Sequence, residues 1–420
     1  MSKKNKSSFS EDKFNSSPEK EIIPEKEIWE YVSFDSFKVP TVPASSAAAD
    51  LWSSFKLIFK REDKGEEIYP GSEEELYSLP SRLEEFLLPI IDFEDGTKAL
   101  DNVLSNWLEN PDTGNSVVYI VGQPYSGNSE ILKKWAKNND STIIEPPDYD
   151  KILSGSDKLP ESFPESGKLW VLPNLEKFFL RHVNGLKIIR KFLELAETGK
   201  IGKGVVGCQS FGWSYLNLIF RLSKKNVFTL QAFDNEKFIK LLSKSVQRAR
   251  YTKFKFLNMS NGKKITGISS NEEPIDPFFT KLASFCRGNL LMQVNLWKEK
   301  LRLENENLKV EKIDLEKSKG KIINETIVWM SSEISESVNL PSTDEDLVII
   351  LHVLLLHDGL PEDILYKILP FSKPVCRSGL SYLLGLGLVK NLEGKCFVVE
   401  SACYSVRKML FERDYLVDKL

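Results

Sequence analysis

The sequence predicts an α/β fold, a parallel sheet with helices on both faces, and three observations carry that prediction. Short continuous apolar runs alternate with amphipathic segments through the middle of the chain. A glycine-bracketed loop joins the first of those runs to the first helix that follows it, and a late block of three helices precedes a tight hairpin. Strand and helix signals that take turns imply crossover connections, which give parallel pairing with helices above and below the sheet.

VVYIVG (117–122) is the first strand of this core, and the helical SEILKKWAKN follows its loop. STIIEPP and KLWVLP supply the second and third strands, GLKIIRKFLELAET an amphipathic helix, KGVVGCQS the fourth strand and VFTLQAF (227–233) the fifth. Upstream, 81–108 has helical periodicity, and SRLEEFL offers a serine cap with an acidic first turn. Downstream, DNEKFIKLLSKSV starts on an aspartate cap, a second helix is expected over 277–301, and 304–332 reads as a linker with a short helix. The last block runs through DEDLVIILHVLLLHDG, LPEDILYKIL and SKPVCRSGLSYLLGLGLV to a hairpin turning at Glu393 and Gly394, then a further helix. Three helices followed by a hairpin is the order of a winged helix.

The expected organisation is a disordered arm over 1–27, an N-terminal, partly helical extension over 28–101, a loop-bearing α/β domain over 102–235, a helical lid with a basic insertion and linker over 236–333, and a winged-helix domain over 334–420. The aromatic and proline-rich start of the extension, with its SSAAAD patch, is suited to docking on the body or on a partner.

With 420 residues, 41% of them hydrophobic and 28% charged, the chain has the make-up of a soluble globular protein, and fibrous and fully disordered classes are excluded. A net charge of -3 provides no global basic field, so nucleic-acid contact would depend on a local patch. Cys208, Cys286, Cys376, Cys396 and Cys403 are scattered and form no CxxC pair, which suits reduced thiols in a cytoplasmic protein. His182, His352 and His357 are the only histidines; the last two sit in or beside an apolar stretch, which favours a packed or surface role over a metal one, and no metal site is assigned. The longest apolar run, 347–356, is about half of the roughly 20 residues that a membrane span takes, so no membrane insertion is expected. The opening arm has no apolar core and reads as neither a signal nor a transit peptide.

The loop itself, GQPYSGNS, has the spacing of a phosphate-binding loop, GxxxxGK[ST], with Gly122, Gln123, Pro124, Gly127, Ser129 and Glu130 in register. Backbone N–H groups and the following helix N-terminus surround phosphates in such a loop, a lysine reaches the outer ones, and the hydroxyl holds magnesium. Here Asn128 stands at the lysine position and brings no positive charge. At the end of the third strand, where an acid would hold magnesium, the chain has Pro173 and Asn174, and the first carboxylate is Glu176, the one candidate catalytic residue. Two catalytic positions are altered together, so weak or absent hydrolysis is expected.

From 240 to 264 the chain carries Lys240, Lys244, Arg248, Arg250, Lys253, Lys255, Lys263 and Lys264 with no acidic residue. In RYTKFKF the cations interleave with Tyr251, Phe254 and Phe256, a pattern suited to phosphates and exposed bases, or equally to a solvated hairpin whose aromatics cover the core. Over 341–420, nine Lys and Arg stand against eleven Asp and Glu, and this acidic balance favours a protein-binding winged helix over a DNA reader.

Taken in order, the GQPYSGNS loop, the WVLPNLE and VVGCQSF strands, the LQAFDNEKFIKLL segment and ASFCRGNLL resemble the AAA+ and STAND P-loop ATPases, including initiator-type members that add a winged helix. The resemblance spans about residues 102–420 and implies a P-loop NTPase-like sheet, a nucleotide cleft beneath a helical lid, and often a ring or filament. It makes Gln209 and Ser210 candidates for a phosphate sensor, Arg221 for an arginine finger, and Arg287 for the second sensor at the start of the lid helix. The expectation is a degenerate AAA+/STAND-like subunit used for assembly or regulation through protein partners, as a homo- or hetero-oligomer. ATP or ADP with Mg are its candidate ligands, and an empty loop is the alternative. The rival expectations are a DNA-associated ATPase using the basic patch, and an NTPase completed by a neighbouring chain.

Overall fold

The computed structural model of the chain describes residues 27–41, 76–110, 116–163, 168–223, 225–249, 252–268, 273–304, 324–331 and 344–420. All but the last residue of the predicted arm, the SSAAAD patch, Arg250, Tyr251 and most of the predicted linker lie outside them.

Four elements precede the alternating core: β1 (Tyr31–Ser33), β2 (Leu76–Ser78), α1 (Ser81–Leu87) and α2 (Phe93–Glu109). Ser81 is the first helical residue of α1 rather than its cap, because Pro80 holds the extended capping position and has no side-chain acceptor to offer. Asp92 caps α2 by accepting from Glu94 N at 2.8 Å.

The predicted alternation then follows as β3 (Val117–Gly122), α3 (Asn128–Asn138), β4 (Thr142–Ile143), α4 (Tyr149–Leu153), β5 (Trp170–Leu172), α5 (Lys187–Glu197), β6 (Gly204–Gln209), α6 (Ser210–Phe220) and β7 (Val227–Leu230). The strands pair in parallel in the order β7-β3-β6-β5-β4, and β1 adds antiparallel to the β7 edge. The chain therefore passes to opposite sides of β3 when it forms β6 and β7, which is the topology that opens a crevice at the carboxyl ends of the strands.

Alternation along the strands divides the core between the two faces. Val118, Ile120, Val171 and Val205 point toward Ile131, Leu132 and Trp135 of α3. Val121, Trp170, Leu172, Val206 and Cys208 point toward Ile188, Ile189 and Phe192 of α5 and Phe211 of α6. With both faces covered, β3, β5 and β6 must be apolar at nearly every position, hence their unbroken apolar runs in the sequence.

Beyond β7 come α7 (Asn235–Val246), β8 (Thr252–Asn258), α8 (Pro277–Phe285), α9 (Leu290–Lys300), β9 (Leu301–Glu304) and β10 (Asn324–Met330). The single helix expected over 277–301 is two helices: Arg287 and Gly288 take left-handed φ of 51° and 72°, and Asn289 then caps α9 by accepting from Met292 N. Residues 236–333, expected to be helical, also supply β8, β9 and β10 to a four-stranded sheet, β2-β9-β10-β8, which β2 joins from the extension and in which β8 and β10 are parallel. The described part of 304–332 contributes β10, whose Thr326, Val328 and Met330 alternate into the interior.

The last unit comprises α10 (Glu345–Leu356), β11 (Leu360–Pro361), α11 (Glu362–Ile368), α12 (Lys373–Gly385), β12 (Val389–Leu392), β13 (Lys395–Val398) and α13 (Cys403–Glu412). Its strands form an antiparallel sheet in the order β11-β13-β12, and the turn residues Glu393 and Gly394 have φ of 51° and 81°, as a tight I′ hairpin requires. Leu347, Leu351 and Leu354 of α10 share one core with Phe179, Trp213 and Leu216 of the sheet domain, so the unit is packed against the α6 side of the sheet. None of the helices in the described residues is long and apolar enough to cross a membrane.

Candidate functional site

β3 delivers Gly122 to the switch point, and the chain turns there with Ser126 N donating to Gln123 O at 3.2 Å. Gly127 then adopts a left-handed φ of 74°, and a Cβ on it would lie 2.4 Å from Phe93 Cε1, so the position admits only glycine. α3 starts at once, with Ile131 N donating to Gly127 O at 3.0 Å, and its N-terminal N–H groups face a cavity of about 240 Å³. Gly122, Gln123, Gly127, Asn128, Ser129 and Glu130 line one side of that cavity, and Glu176 and Gln209 line the other. Eight residues singled out by the sequence therefore converge on one space.

The side chains at the catalytic positions are engaged with one another. Asn128 folds back along the loop, its Nδ2 donating to Ile120 O at 3.1 Å, and its Cβ lies where a side chain on Gly122 would stand. Ser129 Oγ donates to Asn174 Oδ1 (3.0 Å), Asn174 Nδ2 donates to Glu176 Oε1 (3.0 Å), and Gln209 N donates to Glu176 Oε2 (2.9 Å). Glu176 is 1% exposed, and burial, reinforced by the nearby Asp358 carboxylate, pushes its pKa up to about 7. Gln209 uses its own side chain to cap α6, accepting from Phe211 N.

The last unit closes the cavity from above. Asp358 and Phe397 complete its lining, the Tyr125 hydroxyl donates to the Val398 carbonyl, and Lys390 lies over the Tyr125 ring at 5.4 Å. Tyr125 holds a left-handed φ of 58°, unusual for an aromatic residue, in making this contact. Lys177, next to Glu176, pairs with Asp358 at 3.6 Å. His357 bridges the two bodies: its Nε2 accepts from Arg181 N (3.3 Å), and its Nδ1 lies 3.4 Å from the Glu176 carbonyl, which fixes the proton on Nδ1. No sequence signal marked Tyr125, Asp358 or Phe397. Asp358 and Phe397 reach the loop through tertiary docking, which leaves no local pattern, and Tyr125, within the loop, is distinguished only by the contact that this docking makes.

The remaining candidates are placed apart. Pro124 and Arg287 line a smaller neighbouring cavity, and Ser210 is buried at the start of α6 with its hydroxyl turned to Asp418. Arg221 is exposed at the far end of α6, about 16 Å along the helix from Ser210, and does not line the loop cavity. In the basic stretch, Arg248, Lys253, Lys263 and Lys264 are exposed and Lys255 is half-buried, with Lys264 paired to Glu273 at 2.5 Å. Phe254 and Phe256 are buried with Trp297 in the lid core, so these two aromatics present no stacking surface.

The loop side of the cavity fits a small anion: it offers backbone N–H groups, and Ser126 Oγ is buried without a hydrogen-bond partner among the described residues. The magnesium side does not fit. The Ser129 oxygen keeps its lone pairs while donating to Asn174, but Asn174 presents an amide where a carboxylate would stand, no carboxylate follows β5 directly, and Glu176 is held by two donors with a pKa near neutrality.

No family model matches the chain, and no curated protein does. Among solved structures, a RuvB variant from Thermotoga maritima is similar over 80% of this chain and 98% of its own, with 15% identity and a TM-score of 0.29. A STAND protein with a tetratricopeptide repeat sensor from Pyrococcus horikoshii is similar over 82% of this chain and 44% of its own, with 15% identity and a TM-score of 0.27. PCH-2 of C. elegans is similar over 77% of this chain and 80% of its own, with 12% identity and a TM-score of 0.24. Scores at this level carry no argument; the α/β, P-loop NTPase-like architecture rests on the strand order and the loop of this chain itself.

Proposed function

We propose that this chain is a degenerate AAA+/STAND-like subunit in which the phosphate-loop domain no longer hydrolyses nucleotide and serves assembly or regulation, with the last unit acting as a protein-binding winged helix. The observation that carries the reading is the hydrogen-bond chain from Ser129 through Asn174 and Glu176 to Gln209, closed on itself beside a folded-back Asn128. Asn174 and Glu176, at the magnesium side, are engaged with one another, Asn128 is turned back on Ile120, and no cation replaces the missing lysine in the cavity lining. A nucleotide bound there would be held by loop N–H groups and the Ser126 hydroxyl, weakly. The order helix, strand, helix, helix, hairpin in the last unit, together with its acidic balance, supports a protein partner for α12 and the hairpin. Release of phosphate from ATP by the purified chain is the test. Turnover at background, unchanged by Ser129→Ala, is expected; robust hydrolysis abolished by that substitution would overturn the proposal.

A further inference from the structure

The segment that follows α13 touches every body of the molecule. On α10, the Tyr415 ring meets His352 edge-on at 5.4 Å, the Tyr415 hydroxyl donates to Glu345, and the Leu416 carbonyl lies 3.0 Å from His352 Nε2. Asp418, 4% exposed, accepts from Ser210 Oγ at the start of α6 (2.6 Å) and from Arg407 Nε on α13 (2.5 Å), and its backbone carbonyl accepts from Arg407 Nη2 (2.7 Å). The Leu420 carbonyl accepts from Arg287 Nε at 2.8 Å, at the break between α8 and α9. That same break grips the loop: Gln123 Nε2 donates to Arg287 O (3.2 Å) and Asn289 Nδ2 donates to Pro124 O (2.7 Å).

The electrostatics converge on one carboxylate. Arg287 is held below its ordinary pKa by burial and then by the neighbouring Arg407 cation, and Asp418 works against that shift. Arg407 pairs with Asp418 directly and Arg287 feels its charge through space, so neutralising Asp418 would leave two guanidinium groups near one another without that buried counter-charge.

We propose that residues 415–420 form an internal latch that fills the junction of sheet, lid and last unit and keeps the last unit closed over the loop cavity, with Asp418 as the residue on which closure depends. The latch goes beyond the function proposed above, since it would act in the same way on an active or an inactive loop. Its release would free Ser210 and Arg287 together and withdraw Asp358 and Phe397 from the cavity mouth.

Hydrogen exchange on the full chain, read by mass spectrometry, tests this with Asp418→Asn and Ser210→Ala. The latch requires peptides covering 122–130 and 353–361 to exchange about tenfold faster in Asp418→Asn, and faster to a lesser degree in Ser210→Ala, while β8 and β10 keep wild-type protection. Acceleration confined to 413–420 overturns it. If Asp418→Asn loses protection in β8 and β10 as well, and so has unfolded, Ser210→Ala decides: unchanged loop protection in that variant also overturns the latch. ATP turnover in the wild-type chain would sink the proposed function while leaving the latch standing, so the two fail separately.

Discussion

Burial, reinforced by the facing Asp358 carboxylate, lifts the Glu176 pKa from an ordinary 4.5 to about 7, against Lys177 and the Gln209 backbone donor, which pull it down. Below pH 4.5 the folded and unfolded chains both carry this proton. Between 4.5 and 7 the unfolded chain gives it up while the folded chain retains it, so stability falls as pH rises through that window. The shift corresponds to a loss on the order of 3 kcal/mol. Glu176→Gln keeps an acceptor for the Gln209 N–H and has no proton to lose. Urea unfolding at pH 5 and pH 8 should show the variant gaining on the wild type at the higher pH by roughly 2–4 kcal/mol. Equal pH dependence in the two proteins would mean that Glu176 titrates normally and that burial beside Asp358 does not hold its proton.

At the scale of elements, the loop and the lid are joined through one capping residue. Asn289 accepts from Met292 N to start α9 and donates to the buried Pro124 carbonyl. Asn289→Ala removes a cap worth about 1 kcal/mol and strands a buried acceptor at about 1–3 kcal/mol, so a loss on the order of 2–3 kcal/mol is expected in denaturant unfolding. A loss below 1 kcal/mol would show that the loop does not depend on this clamp. The central parallel strands β3, β5 and β6 were legible in the sequence because strands buried on both faces have to be apolar throughout, as in VVYIVG and VVGCQ. β8 was legible in another sense: Lys253 and Lys255 alternate with Phe254 and Phe256 at the period of a strand that is polar outside and buried inside. A base-stacking reading of those aromatics needs them exposed, and alternation alone does not tell which face is covered. β10 eluded sequence reading because its parallel partner β8 lies far earlier in the chain, and register over such a distance is a tertiary property. In the site, Asn128, Ser129 and Glu176 were visible from loop spacing and strand ends, whereas Asp358, Phe397 and Asp418 arrive only through docking of the last unit.

For the whole molecule, that docking rests on two buried histidines, and this makes it sensitive to acid. His357 lies between the Glu176 carbonyl, the Arg181 N–H and the Phe179 ring; His352 lies beneath the Leu416 carbonyl and the Tyr415 ring; and each feels the other or the Arg181 cation. Burial lowers their pKa values from 6.5 to about 3 for His357 and about 4 for His352. The unfolded chain takes up both protons near 6.5 and the docked chain resists them, so stability falls as pH drops from 6.5 toward those values. Glu176 acts with the opposite sign across 4.5–7 and offsets part of the loss, until below 4.5 the histidines act alone. In the double variant His352→Gln with His357→Gln, neutral amides can still donate to the Leu416 and Glu176 carbonyls and accept from Arg181 N, and they do not titrate. Urea unfolding followed by tryptophan fluorescence at pH 7 and pH 4.5 should therefore show a fall in the wild-type midpoint and, with Glu176 left to act without the histidines, no fall or a rise in the double variant. Parallel falls would place the acid sensitivity elsewhere. The histidines would then be mere packing, and the His357 bridge would lose its standing as the tie between the last unit and the turn that carries Glu176.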